Sequence, residues 1–150
     1  MLVNPYPYTN GSSLVTDRPF AARVTIDVLE GFQGGPYVVT EDNIIKRETY
    51  EMQKMIDPGD LSKERQVWHA YPGIYKFESN TYVNIPQGHV GFLSPTPEAF
   101  ENGVQVQSPY LQPGFCGIIK GLITLSGGET FLQPGMALAE LIMIKYSEGE

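Results

Sequence analysis

The chain has 150 residues, 41% of them hydrophobic, which is enough for one domain with a buried core. A formal net charge of −7, with Lys120 and Lys145 the only cations after Phe77, excludes a nucleic-acid backbone as the expected partner. One cysteine, Cys116, and two distant histidines, His69 and His89, argue against an internal disulfide or a Cys/His metal cluster, and no run approaches the ~18 apolar residues of a membrane span.

Residues 1–21 are rich in Pro, Tyr, Asn and Ser and read as an extended arm. Leu2, Tyr6 and Tyr8 would anchor it on its own surface or on a neighbour's, and a plain flexible terminus is the alternative. Residues 22–150 read as one β domain. At 22–32, Val24, Ile26 and Val28 fall on one face of a strand, as a period of two requires. A Gln-Gly-Gly-Pro turn then leads to a second strand at 37–39. Between 41 and 65, twelve of twenty-five residues are charged, so this stretch is a solvated face with no chemistry assigned. Met52, Met55 and Ile56 have helical spacing and Asp57-Pro58-Gly59-Asp60 is a stop, so one short helix or a charged hairpin loop is expected here.

From Gln66 onward, short apolar segments recur between turn signals: VWHAY, IYKF, TYVNI, VGFL, GVQVQ, FCGIIKGLITL, TFL and ALAELIMIKY. Sixteen glycines and twelve prolines interrupt every longer run, which points to an all-β barrel or sandwich of short strands. Pro113-Gly114 and Pro134-Gly135 read first as tight turns, proline presetting φ and glycine supplying its positive value. Cys116 has no cation or histidine beside it in sequence and reads as small buried packing rather than a reactive thiol.

The order of four motifs resembles the trimeric dUTPase and dCTP deaminase superfamily, with a layout closer to the deaminases. The motifs are Tyr71-Pro72-Gly73-Ile74-Tyr75, Asn102-Gly103-Val104, Leu111-Gln112-Pro113-Gly114-Phe115-Cys116-Gly117 and the closing Gln133-Pro134-Gly135-Met136-Ala137-Leu138-Ala139-Glu140-Leu141. Val24-Thr25-Ile26-Asp27-Val28-Leu29 is similar to the family's first motif strand. The resemblance spans roughly 22–146. It implies a distorted β-barrel or jelly-roll protomer with at most one short helix, assembled as a homotrimer with sites between subunits.

The side chains that the family uses for nucleotide chemistry are replaced. Counting back from Gly103, the family's two phosphate-binding arginines fall at Thr96 and Glu101. Prolines at 95 and 97 also remove backbone donors. The hairpin aspartate that handles the attacking water in dUTPases falls at Gln112, and the deaminase general acid/base falls at Leu122, which cannot transfer a proton. The closing-strand glutamine is Glu140. Were the chain to turn over nucleotides, Mg²⁺ would be expected on Asp27 with Glu101 or Glu140. The competing reading places Asp27 on a strand face or in a hydrogen bond, with no cofactor and no metal.

Three functions remain open on this reading. The first is a non-catalytic trimer serving as a structural or interaction platform, such as a decoration (cement) protein of a phage or viral particle, cytoplasmic or virion-borne, with a capsid or other protein assembly as partner. The second is a nucleotide-binding regulator or sponge, with Tyr110 or Phe115 stacking on a neutral or singly charged ligand. The third is a dCTP deaminase or dUTP pyrophosphatase with a rearranged site.

Overall fold

The computed structural model describes residues 2–3, 20–34, 40–42 and 47–146. The arm anchors Tyr6 and Tyr8 and the strand expected at 37–39 lie outside these residues. Among the described residues, three sheets make up the all-β fold. The largest runs in the order β4 (Thr49–Glu51), β3 (Val28–Phe32), β7 (Gly73–Asn84), β10 (Cys116–Leu125) and β9 (Val104–Gln107). The chain's first strand, β1 (Leu2–Val3), adds to it in parallel beside Tyr82 and Val83 of β7. A second sheet holds β11 (Thr130–Leu132), β6 (Gln66–Ala70) and β5 (Lys54–Ile56). The third holds β2 (Phe20–Thr25), β12 (Ala137–Lys145) and β8 (His89–Pro95), and one helix, α1 (Pro97–Glu101), joins β8 to β9.

The core draws on all three sheets. Trp68, Phe77, Ile26, Leu29, Ile119, Ile123, Leu141 and Met143 are fully buried within it. Each such side chain removed from water contributes about 1.5–3 kcal/mol before the entropy of ordering it is counted.

The segment 22–32 is two strands rather than one. It breaks at Ile26 and Asp27, where β2 leaves the third sheet and β3 enters the largest. The buried positions change phase across this bend, from Val24 and Ile26 to Leu29, so Val28 does not share their face. Strands that pass from one sheet to another turn such corners at bends or bulges. The segments IYKF and TYVNI, in contrast, are one strand. Ser79 is buried between them, and the strand bulges there: Ser79, Asn80 and Thr81 of β7 stand opposite the single residue Ile119 of β10.

No α-helix forms at 49–65. Thr49–Glu51 and Lys54–Ile56 pair as strands with β3 and β6, and only Leu61–Lys63 makes a single 3₁₀ turn. Backbone pairing with β6 outweighs the helical spacing of Met52, Met55 and Ile56. The charged-hairpin alternative holds, since β5 and β6 are antiparallel neighbours around the 57–65 loop. The helix instead lies at 97–101, started by Thr96 as N-cap with proline at the first helical position. A missing N–H at that position costs nothing, so Pro97 shapes the helix rather than emptying a donor site. The two Pro-Gly turns have the expected form, with φ of 85° at Gly114 and 87° at Gly135. Cys116 is exposed at the start of β10, not packed, and the inward positions of that strand belong to Ile119, Ile123 and Leu125.

Tyr75 is buried and its hydroxyl donates to the carbonyl of Tyr71 at 2.8 Å. Burial raises its phenol above the ordinary tyrosine value; the Tyr71 hydrogen bond opposes the rise and the neighbouring Tyr50 adds to it. A raised folded value gives stability that is complete below about pH 10, the unfolded value, and is lost as pH climbs through the folded one. Tyr75→Phe is expected to lower stability at neutral pH by about 1 kcal/mol. It should also flatten the alkaline decline, as urea titrations at neutral pH and above about pH 10 would show.

The outer face of the third sheet is unusually apolar. Ile142 stands opposite Phe92, and Ile144 opposite Val90. Phe92 and Ile144 are 43% and 44% exposed, and the Tyr110 ring lies 6.5 Å from that of Phe92.

Candidate functional site

The positions matched to the family's chemistry separate into two regions of the single chain. One lies around α1. Thr96 is buried, and its side chain accepts a hydrogen bond from the backbone N–H of Ala99 at 3.2 Å while its own N–H reaches the carbonyl of Leu138. Where the resemblance implies an arginine, a hydroxyl caps a helix. Glu101 closes that helix and is exposed. Glu140 lies on the outward side of β12, opposite Arg23 of β2 and Ser94 of β8. Thr96 also forms part of the floor of a cleft of about 670 Å³ between α1 and β11–β12, whose rim carries Arg23, Glu98, Glu129 and Phe131. Arg23 reaches Glu98 at 3.5 Å with both side chains mostly exposed, a pair worth little in stability.

The other region follows β9. Tyr110, Gln112, Phe115 and Lys120 line one groove of about 780 Å³. Leu122 lines an adjoining one of about 640 Å³, which shares Pro109 and Lys120 with the first. The stacking candidates Tyr110 and Phe115 therefore do come together, with Gln112 beside them and Leu122 next door. Of these three recesses, the one that holds Thr96 contains neither Gln112 nor Leu122.

Asp27 belongs to neither recess. Its carboxylate accepts from the Thr25 hydroxyl at 2.6 Å and from the Asn80 backbone N–H at 2.7 Å. It thereby ties the bend between β2 and β3 to the middle of β7, which is the structural hydrogen bond weighed from sequence. Among the described residues, no three His, Cys, Asp or Glu side chains gather as metal ligands would. Among the same residues, no helix is long and apolar enough to cross a membrane.

Sequence reading passed over several groups that these recesses use. Lys120 is one; the alternation of β10 places it on the outward face with Leu122, a signal present in the sequence. Glu129 and Phe131 are others. His69 contacts the Glu129 carboxylate through Nε2, stacks on Phe131 at 4.6 Å and lies 4.7 Å from Tyr71. These residues meet only because β6 pairs with β11 across sixty positions of chain.

No protein-family profile matches the chain. Over 97 residues it is 28% identical to a curated protein of Aeropyrum pernix named "Probable deoxyuridine 5'-triphosphate nucleotidohydrolase". The alignment covers 63% of this chain and 61% of that protein's length. Together with the all-β architecture, this similarity supports assignment to the dUTPase-like superfamily.

Proposed function

We propose that this dUTPase-like chain is a non-catalytic interaction protein: a homotrimer that uses the fold as a platform for other proteins. The observation that carries the reading is the state of Thr96. At the position of a phosphate-binding arginine stands a buried hydroxyl committed to capping α1, with no charge to offer. Gln112 and Leu122 supply no general base or acid, and Glu101 and Glu140 add negative charge where a triphosphate would need cations. Losing a general acid/base alone removes about 10²–10⁴-fold in rate. Replacement at five separate positions argues for a different job more strongly than any single change would.

Trimerisation gives the apolar face of β8 and β12 something to cover it, since Phe92, Ile142 and Ile144 lie side by side in register on its outer side. A decoration protein on a phage or viral particle is the form of platform that suits a threefold assembly with extended arms.

The test is incubation with dUTP, dCTP and Mg²⁺ at high protein concentration, with products followed by ion-exchange chromatography. Neither pyrophosphate nor ammonia is expected above buffer controls. Release of pyrophosphate would overturn the reading and favour a dUTP pyrophosphatase with a rearranged site, the activity in the Aeropyrum pernix protein's name, and release of ammonia would favour a dCTP deaminase. A second reading draws on the groove holding Tyr110, Gln112, Phe115 and Lys120. Aromatic faces, an amide and a single cation suit a planar ligand that is neutral or carries one negative charge. Binding of such a nucleoside without conversion would mark the protein as a nucleotide sponge or regulator.

A further inference from the structure

We propose that the cleft beside α1 is a docking site for an arginine-bearing, otherwise apolar segment of a partner protein. The inference rests on the interaction-protein reading above and names where the partner binds and what chemistry it brings. The cleft has the volume of a small-ligand pocket, about 670 Å³. Its floor is apolar and buried, formed by Ala99, Val104, Leu132 and Leu138. Its rim is acidic, with the carboxylates of Glu98 and Glu129 both more than half exposed. Glu101 lies on the same helix as Glu98, so the field at the mouth is negative in a chain already at −7.

Phe131 decides which cation fits. It lines the cleft, is 42% exposed, and is backed by the His69 ring at 4.6 Å, which holds its plane in place. A guanidinium stacks on an aromatic face and takes a carboxylate with two parallel hydrogen bonds; an ammonium is more strongly hydrated and offers no flat face. The cleft's own arginine, Arg23, is held to Glu98 only by a 3.5 Å contact between exposed groups, so an incoming guanidinium can displace it at small cost. The apolar floor takes the arginine stem and a neighbouring aliphatic side chain, as snorkelling side chains allow. A triphosphate, by contrast, would meet two carboxylates and one cation.

The experiment is a ¹⁵N-detected titration of the full chain with the peptide acetyl-Leu-Arg-Ala-Leu-amide, its citrulline and glutamate counterparts, and free arginine amide. The arginine peptide is expected to shift the amides of Ala99, Asn102, Gly127 and Phe131, with a dissociation constant in about the millimolar range. The citrulline peptide should bind about tenfold more weakly, as should the Glu98→Gln/Glu129→Gln variant toward the arginine peptide. Both substitutions are at exposed positions, and an unchanged unfolding curve would show that the fold is intact. Equal shifts from the glutamate peptide, or none from the arginine peptide, would overturn the docking site. Arginine amide binding as tightly as the peptide would also overturn it, by showing a small-cation pocket rather than a protein-docking surface. No nucleotide is present, so an absence of shifts leaves the non-catalytic reading standing, whereas turnover of dUTP would sink that reading without explaining peptide shifts away.

Discussion

Valine at position 121 is expected to destabilise the protein by about 3 kcal/mol or more, while alanine at position 31 costs less than about 1 kcal/mol. Both glycines lie inside strands of the same sheet, and a Cβ at either would approach another atom too closely. At Gly121 the obstacles are the Gln107 carbonyl oxygen at 2.7 Å and the Phe77 ring at 2.8 Å. Neither can yield, because Gln107 is held in the ladder between β9 and β10 and Phe77 is fully buried. At Gly31 the obstacle is the far end of the Tyr50 ring at 2.4 Å, on a side chain that is 48% exposed and free to swing into solvent. Chemical denaturation of both variants gives the comparison, with Gly121→Ala as an intermediate step should the valine variant fail to accumulate. Equal losses at the two sites would mean that β9 is not packed against β10 and β7 as described.

Should the proposed trimer form through the outer face of the third sheet, lysine at Phe92 and Ile144 is expected to convert it into monomers. Light scattering should follow the mass from three times 16.7 kDa down to once that value. An unpaired ammonium buried in a subunit contact costs several kcal/mol, and threefold symmetry repeats the cost at every interface. In the single chain these positions face outward, so the same substitutions should leave the monomer folded, with an unchanged far-ultraviolet circular dichroism spectrum. A wild-type protein that is already monomeric would remove the trimer from the proposal. A double variant that stays assembled would move the interface to another face.

The parts of the fold legible in the sequence are those set by local rules. Each of the eight apolar segments after Gln66 falls on a strand to within a residue at its ends, because alternation and Pro-Gly punctuation act over a few residues. The helix at 97–101 is readable too, in the order Thr96-Pro97-Glu98, although comparison with a phosphate site draws attention instead to the donors that Pro95 and Pro97 lack. The break at Asp27 was not readable, because 22–32 alternates well enough for one strand and only the two sheets it serves demand a corner. The helical spacing of Met52, Met55 and Ile56 misled for a related reason: the pairing of β5 with β6 is a non-local contact that spacing does not encode. At the candidate site, Tyr110 and Phe115 enter as stacking candidates only through the resemblance, and it is the structure that places both on one groove around the Pro113-Gly114 turn. The cluster of His69, Glu129 and Phe131 could not, since strand pairing alone brings it together.

The parallel pairing of β1 with β7 bears on the order of events during synthesis. Leu2 and Val3 precede their partners, Tyr82 and Val83, by some eighty residues of chain, so they are synthesised well before β7 is. Closing so long a loop is entropically costly and must wait until β7 exists as a template, flanked by β3 and β10. These two residues therefore find their place late, and until they do, that stretch of the β7 edge stays open to any other strand that reaches it.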